Sequence, residues 1–254
     1  MKIIFLGTGA SPGVPMLGCD CAVCQSDDPK SKRLRASILV QNEGFNILID
    51  TSTDLREQCL ANGITDINAV LYTHHHADHI LGLEELRSFN FFKKTAIPCF
   101  GKEQTFTQIK KTFYYIFDPT NSYQGAVSQV ELHPIGTEPF SLGGTGIRPL
   151  KIIHGEMPIL GYKFDRFAYV TDCSELPAES WEQLQGIELL ILNALRYDPH
   201  PTHFHLEKSL ETIAALKPGR ALLTHMTHQI DHRKTGAKLP ENVELAYDGM
   251  VVEL

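Results

Sequence analysis

Hydrophobic and polar positions change period several times along the chain, and this pattern predicts more strands than helices. Short apolar runs bounded by Gly, Pro or Asn, such as Lys2 to Leu6 and Asn68 to Tyr72, predict buried strands. The runs Ala36 to Gln41 and Phe45 to Ile49 flank Asn42-Glu43-Gly44, so they predict a hairpin. Further strands are predicted near Pro98 and Val130 and over residues 147–153, 160–164, 167–171, 188–192 and 221–224.

Apolar residues at helical spacing predict helices over residues 53–62, 80–89, 178–184 and 207–216. Strand clusters come first in each half of the chain and helices fall between the halves. This order predicts an α+β fold of two packed mixed β-sheets with outer helices. A chain of 254 residues is long enough for one core, so a single domain over residues 1–254 is expected. The aromatic segment Phe113 to Phe117 fits either a pocket cover or the core.

Composition restricts the class of partner. The chain is 43% hydrophobic and 21% charged, and its net charge of -7 opposes adhesion to nucleic acid or anionic membrane, which needs a basic face. A small substrate is therefore favoured, without stable binding of a nucleic-acid polymer or a membrane. The apolar run Ile3 to Leu6 is too short for a signal peptide core, so a cytoplasmic protein is expected. A homodimer is left open.

The strongest chemical signal is Thr73-His74-His75-His76-Ala77-Asp78-His79, directly after a predicted strand. In extended chain, a His-x-His pattern places both imidazoles on one side, and the next residues begin a helix. Neutral imidazole and carboxylate suit Zn²⁺, Mn²⁺ or Fe. A polar surface turn with a chance run of histidines is the alternative, but these spacings rarely arise by accident. The motif therefore predicts a site where one loop reaches two metal ions.

A second metal signal is Cys19-x-Cys21-x-x-Cys24, which supplies three thiolates. A tetrahedral structural zinc needs a fourth ligand, and the candidate is His228, three residues beyond His225. A reduced cysteine cluster without metal is the alternative. The remaining cysteines are scattered, unlike the even framework of a secreted disulfide scaffold.

The run His74-x-His76-x-Asp78-His79 after a strand resembles the signature of the metallo-β-lactamase superfamily, whose fold is an αββα sandwich. The resemblance implies that His74 and His76 bind a first divalent ion, Zn or Mn. It implies that Asp78 and His79 bind a second.

The same resemblance implies that the other ligands follow later strands. His154 would complete the first site, Asp172 would bridge the two ions, and His225 would complete the second site. Asp50 resembles an early aspartate of the superfamily that orients the ligands, and helix capping is its rival role.

The segment from Gly7 to Pro15, together with the cysteines and His228, narrows the resemblance to one branch of the superfamily. That branch includes the cyclic phosphodiesterase of the phosphonate-degradation pathway. In His200-Pro201-Thr202-His203-Phe204-His205, related phosphodiesterases keep a histidine that protonates the leaving oxygen. His203 is favoured for this role, and the other two histidines remain open. Asp78 or Asp172 would hold or accept the proton of the attacking water.

These resemblances imply a metal-dependent hydrolase of small phosphodiesters, cyclic ones included, with two active-site ions and one structural zinc. The substrate would be a small phosphodiester or a nucleotide-like molecule. The alternatives are an RNA-processing nuclease, which would ordinarily carry an arm or a basic patch, and an acyl hydrolase acting on thioesters or lactones. A non-catalytic metal-binding protein is the remaining class.

Overall fold

Two mixed β-sheets form the centre of the structure, a computed structural model that describes residues 1–118, 120 and 127–254. The first sheet has the order β14-β1-β2-β3-β4-β5-β6, and the second has the order β13-β12-β11-β10-β9-β8-β7. The strands of the first sheet are β1 (Lys2–Gly7), β2 (Ser37–Asn42), β3 (Phe45–Ile49), β4 (Ala69–Leu71), β5 (Ile97–Gly101), β6 (Val130–Pro134) and β14 (Val251–Glu253). Those of the second are β7 (Phe140–Leu142), β8 (Thr145–His154), β9 (Met157–Phe164), β10 (Phe167–Val170), β11 (Leu189–Asn193), β12 (Arg220–Thr224) and β13 (Val243–Leu245).

Helices cover the outer faces of both sheets. The α-helices are α1 (Leu55–Ala61), α2 (Ala77–Ile80), α3 (Leu86–Lys93), α4 (Glu103–Thr112), α5 (Ala178–Leu184), α6 (Leu206–Leu216) and α7 (His232–Gly236). Short 3-10 helices span Pro29–Ser31, Leu81–Glu85 and Tyr114–Ile116. In the part of the chain that the structure describes, no helix has the length and apolar character needed to cross a membrane. The cytoplasmic location and the homodimer stay predictions.

The alternation of side chains along β1 shows why the sequence forms layers. Ile3 and Phe5 point into the core between the sheets, whereas Ile4 and Leu6 pack under the helices outside the first sheet. All four are buried, as expected for a strand covered on both faces. A third apolar cluster lies under α5 and α6 on the outside of the second sheet. The predicted αββα sandwich is therefore confirmed.

The predicted strands and hairpin are confirmed, with ends that differ by a few residues. The predicted continuous helix over residues 80–89 is wrong, because this stretch divides into the end of α2, the 3-10 segment Leu81–Glu85 and the start of α3. A Cβ on Gly82 would lie 2.0 Å from the carbonyl oxygen of Ser52, so this close approach imposes the local backbone path. The sequence pattern also missed α4 and α7, together with the short edge strands β7, β13 and β14. In the aromatic segment, Phe113 is buried in the core, while Tyr114 is exposed.

The ends of several strands meet at one edge of the sandwich. β3 and β4 are parallel, as are β10, β11 and β12, so their carboxyl ends fall on the same edge of each sheet. Asp50, Asp172 and His225 each follow one of these strands and have φ values of 62°, 55° and 55°. Non-glycine residues rarely adopt positive φ, and such conformations concentrate at functional sites. The fold therefore brings three polar residues with positive φ to the same edge of the sandwich.

Candidate metal centre

Three histidines from both sheets converge at this edge. His74 Nε2 lies 3.0 Å from His76 Nδ1, and His154 Nε2 lies 3.3 Å from the same atom. Two nitrogen ligands on a tetrahedral zinc, each bonded at about 2.0–2.1 Å, are about 3.3 Å apart. The three donor atoms also lie within 4.8 Å of one another. The spacing therefore fits one divalent cation.

The rings of this first cluster are held in suitable orientations. His154 Nδ1 donates to the carbonyl oxygen of Thr202 at 2.7 Å, which leaves Nε2 facing the cluster. His74 Nδ1 lies 3.0 Å from the hydroxyl of Thr73. Burial lowers the pKa of His74 and of His76, which keeps both imidazoles neutral and able to bind a metal. The more exposed His76 is the member of this cluster that faces solvent.

A second cluster contains Asp78, His79 and His225. The Nε2 atoms of His79 and His225 lie 3.4 and 3.6 Å from Asp78 Oδ2. Among the described residues these two buried Nε2 atoms have no hydrogen-bond partner. Buried nitrogens are rarely left without a partner, so their convergence on a carboxylate fits a cation that completes the site. Although burial opposes it, His79 and His225 lower the pKa of Asp78, so the carboxyl is ionised.

Asp172 lies between the two clusters. Its Oδ2 is 3.4 Å from His79 Nε2, and its Oδ1 is 3.2 Å from His225 Nε2. It also forms a converging group with His74 and His79. Burial opposes ionisation of Asp172, but His225 and His79 lower its pKa well below the usual range. If each cluster held a cation, an ionised carboxylate here would contact both, which is the role predicted for Asp172 as a bridging ligand.

Asp50 supports the second cluster from behind. Its Oδ1 accepts a hydrogen bond from the Thr73 backbone N–H at 2.8 Å, and its Oδ2 accepts from the Thr73 hydroxyl at 2.8 Å. His79 Nδ1 also lies 2.8 Å from Oδ2. Helix α1 begins after Asp54, so Asp50 does not cap that helix. Its geometry is that of a residue that orients a ligand.

His203 is the histidine of its segment that reaches the centre. Its Nε2 lies 3.0 Å from Asp172 Oδ1, and its Nδ1 lies 2.8 Å from the Thr202 hydroxyl. His205 instead precedes α6, where its Nε2 lies 4.0 Å from Glu207. Burial lowers the pKa of His203 to about 4, and Asp172 opposes this effect. Burial of the ring therefore outweighs the charge of Asp172 and favours the neutral imidazole.

The backbone around His203 is fixed by Asn193. The Asn193 Oδ1 accepts from the Cys173 N–H at 2.8 Å, and its Nδ2 donates to the carbonyl oxygens of Cys173 and Phe204 at 3.2 and 3.4 Å. Asn193 is fully buried at the end of β11. It therefore ties the loop carrying Asp172 to the loop carrying His203.

The cysteines and His228 form a separate cluster. The Sγ atoms of Cys19, Cys21 and Cys24 lie 3.1, 3.6 and 3.7 Å from His228 Nδ1. Ligands on a tetrahedral zinc with ordinary Zn–S and Zn–N lengths are separated by about 3.6 Å. A hydrogen bond from the Cys24 backbone N–H lowers the pKa of Cys21 to about 6, which favours a thiolate. The geometry fits a structural zinc, with His228 as the fourth ligand.

The structure therefore brings together all of the predicted metal-site residues in the clusters for which they were proposed, and the roles themselves stay predictions. Sequence analysis missed the supporting groups Thr73, Thr202 and Ser11. Ser11 donates a hydrogen bond to Asp78 Oδ2 at 2.7 Å. Serine and threonine are frequent in loops, so nothing in the sequence separates these hydroxyls from ordinary polar loop residues.

An αββα sandwich with clustered histidines and carboxylates at one edge is the architecture of metal-binding hydrolases. Comparison with known proteins identifies the family. The model of the family described as "Beta-lactamase superfamily domain" matches residues 45–226. The chain belongs to the metallo-β-lactamase superfamily.

Individual relatives narrow this assignment. A crystal structure described as a new diphosphatase from the PhnP family superposes with a TM-score of 0.93 at 42% identity, covering 100% of this chain and 97% of that one. This similarity to a PhnP-family protein confirms the narrower branch of the superfamily that the sequence predicted. Zn²⁺-bound PqqB from Methylobacterium extorquens has a TM-score of 0.81 at 20% identity, with 100% of both chains covered, and so shows a shared fold.

A curated relative carries a different name. A protein of Porphyromonas gingivalis named octanoyltransferase is 37% identical over 255 residues, which are 98% of this chain. The match includes only 51% of that protein, so this chain spans about half the length of its relative. The name describes the longer protein.

Proposed function

We propose that this chain is a metal-dependent hydrolase of small phosphodiesters, cyclic ones included. The observation that carries the proposal is the position of His203, whose Nε2 lies 3.0 Å from Asp172 beside both histidine clusters. A phosphodiester expels an alkoxide, which leaves poorly unless it receives a proton. A histidine at the edge of the metal centre suits that task. The PhnP-family structure described as a diphosphatase supports chemistry at phosphorus.

The metal content is part of the proposal. His74, His76 and His154 would hold one cation, and Asp78, His79 and His225 would hold a second, with Asp172 between them. Zn²⁺ and Mn²⁺ both suit these imidazole and carboxylate donors. When bound, two divalent cations would supply an acidified water and would neutralise charge on the phosphoryl oxygens. Zn²⁺ bound to the structurally similar PqqB supports the same class of ion here.

The protein side chains complete the reaction. A negative phosphate placed against His203 would favour the imidazolium form of its ring. Asp172 Oδ1 lies 3.0 Å from His203 Nε2 and holds this edge of the ring toward the centre. With substrate bound, the Nε2 proton would be transferred to the leaving oxygen in place of its contact with Asp172. Asp78 or Asp172 holds the proton of the attacking water.

Charge supports a small substrate. The net charge of -7 opposes the broad phosphate contacts that a nucleic-acid polymer makes. A small phosphodiester or a nucleotide-like molecule is therefore the proposed substrate. A diphosphate linkage is the second candidate, because the PhnP-family relative is described as a diphosphatase.

A panel of substrates tests this proposal in protein freed of metal and reloaded with Zn²⁺ or Mn²⁺. The panel comprises a cyclic ribose phosphodiester, bis(p-nitrophenyl) phosphate, a dinucleoside diphosphate, an RNA oligonucleotide, an octanoyl thioester and a lactone. We expect the highest kcat/KM for a small diester. Faster turnover of the diphosphate would favour the second candidate. Faster turnover of the thioester or lactone, faster RNA cleavage, or no hydrolysis at full metal occupancy would refute the proposal.

A further inference from the structure

The loop after β1 reaches the metal centre through Ser11. Ser11 is an exposed residue, yet its hydroxyl donates to Asp78 Oδ2 at 2.7 Å. That oxygen is also the one nearest to His79 Nε2 and His225 Nε2, at 3.4 and 3.6 Å. One carboxylate oxygen has lone pairs for both a cation and a hydroxyl donor. Ser11 therefore contacts the atom of Asp78 that faces the second cluster.

The peptide of Ser11 is itself held in place. Arg35 Nε donates to the Ser11 carbonyl oxygen at 3.0 Å, and Arg35 Nη1 donates to Asp54 Oδ1 at 3.0 Å. The Arg35 backbone N–H donates to Asp54 Oδ2 at 2.8 Å, so Asp54 accepts hydrogen bonds from both the main chain and the side chain of Arg35. Asp54 lies directly before α1. The Arg35–Asp54 pair, which is anchored at the start of α1, therefore holds the backbone of Ser11 in place.

Backbone hydrogen bonds restrain the same loop on its other side. Ala10 N–H donates to the Met226 carbonyl oxygen at 3.1 Å, and Met226 N–H donates to the Thr8 carbonyl oxygen at 2.9 Å. Met226 follows His225 directly in the chain. The position of Ser11 is therefore tied to the segment that carries a predicted ligand of the same cluster.

We propose that Ser11 is a positioning residue that aims Asp78 Oδ2 at the second cation, with Arg35 and Asp54 as its support. A hydroxyl donor to an ionised carboxylate fixes the torsion of that side chain and uses the lone pair not needed for the metal. This inference rests on the proposed dinuclear centre. It gives a structural role to the Gly- and Pro-rich loop, whose sequence served only to narrow the branch of the superfamily.

Metal titration tests this role without reference to any substrate. Wild-type protein and the Ser11→Ala variant, each with zinc kept in the cysteine site and no active-site metal, are titrated with Zn²⁺ and with Mn²⁺ against a chromophoric chelator. The first and second equivalents counted are then those of the histidine cluster (His74, His76, His154) and of the cluster with Asp78, respectively. Residues behind metal ligands affect metal affinity by about 10–100-fold, so we expect the second equivalent to bind Ser11→Ala about 10–100-fold more weakly. The first equivalent should be unchanged. Ser11→Thr, which keeps the hydroxyl, should restore the affinity.

Ser141→Ala is the matched control, since Ser141 is exposed on edge strand β7. Its metal affinities should equal those of the wild type. Arg35→Gln should weaken the second equivalent in the same direction as Ser11→Ala. Thermal unfolding of each variant with only the cysteine site occupied by zinc checks that it is folded.

The outcomes separate this inference from the proposed function. Affinities of Ser11→Ala within twofold of the wild type for both equivalents would overturn the role of Ser11, whatever the substrate panel shows. A weaker second equivalent in a protein that hydrolyses no phosphodiester would support Ser11 and refute the proposed function. Equal losses in Ser11→Ala and Ser11→Thr would show that the hydroxyl is not responsible and would also overturn the inference.

Discussion

His79 Nδ1 lies 2.8 Å from Asp50 Oδ2, and both side chains are completely buried. Burial raises the pKa of Asp50, although His79 and Thr73 oppose this effect. Burial lowers the pKa of His79, but Asp78, Asp172 and Asp50 together raise it well above its usual value. These carboxylates favour a proton on His79, and the contact of Nδ1 with Asp50 leaves Nε2 facing Asp78 and Asp172. Asp50 fixes which ring nitrogen remains available for a metal.

The first prediction concerns this pair. Asp50→Asn preserves the shape and the left-handed conformation that Asp50 adopts, with φ of 62°, because Asn tolerates this region. It removes the charge that favours a proton on His79 Nδ1. We expect metal affinity to fall by about 10–100-fold. Competition titration with a chelator measures the change, and an unchanged affinity would remove the orienting role of Asp50.

The second prediction concerns the proton donor. His203→Ala should lower the turnover of a diester with an alkoxide leaving group by about 10²–10⁴-fold. Turnover of bis(p-nitrophenyl) phosphate should fall much less, because p-nitrophenolate leaves without a proton. Steady-state kinetics on both substrates measures the difference.

His205→Ala is the control for this experiment, since His205 lies outside the centre at the start of α6. The His205→Ala variant should keep the wild-type ratio of turnover rates for the two substrates. Equal losses for both substrates in His203→Ala would contradict the acid role.

The third prediction concerns the cysteine cluster. Cys21→Ser replaces a thiolate that lies 3.6 Å from His228 Nδ1. We expect one equivalent of zinc to be lost and the protein to unfold at a lower temperature, since structural zinc stabilises the fold directly. Metal analysis and thermal unfolding measure these changes. Cys59→Ala, in α1, should alter stability without changing zinc content, and a full zinc complement in Cys21→Ser would rule out the structural site.

The fourth prediction concerns pH and stability. Asp248 accepts hydrogen bonds from Leu34 N–H at 2.6 Å and from the Thr8 hydroxyl at 2.7 Å. Burial raises its pKa to about 6, although these hydrogen bonds oppose the shift. The folded state therefore favours the protonated carboxyl. Its stabilisation is complete below the unfolded-state pKa near 4 and is lost as the pH rises through 6.

Asp248→Asn isolates this effect, because the amide can accept from Leu34 and donate to Thr8. Between pH 4 and pH 6, the free energy of unfolding of the wild type should fall relative to that of Asp248→Asn by at most about 3 kcal/mol. Denaturant unfolding at several pH values measures it. A constant difference across this range would show that Asp248 does not titrate with the expected shift.

The sequence predicted the parts of this molecule whose signals are local. Residues 74–79 form one motif after one strand, and the spacing of their side chains follows from strand and helix geometry. The central strands were predictable because both faces are buried and their apolar runs are continuous. The short edge strands β7, β13 and β14 lack such runs and were missed. His154, Asp172 and His225 could be chosen only through resemblance, because a lone polar residue after a strand carries no chemistry by itself.

Tertiary contacts determined what the sequence could not show. The helix after His79 is interrupted because Gly82 packs against the Ser52 backbone, which lies 30 positions earlier in the chain. Ser11 and Thr202 matter because of the atoms that they meet, Asp78 Oδ2 and His203 Nδ1. The path of the chain before α6 distinguishes His203 from His205, because it brings His203 to Asp172 and leaves His205 at the start of the helix.

The two sheets contribute to the centre in nearly equal measure. His74, His76, Asp78 and His79 follow β4, whereas His154, Asp172 and His225 come from the ends of β8, β10 and β12. Cations held between these groups would link the two sheets. Metal occupancy would then report how well the two sheets are docked, and a substitution deep between the sheets that shifts one against the other should weaken metal binding before it unfolds the chain.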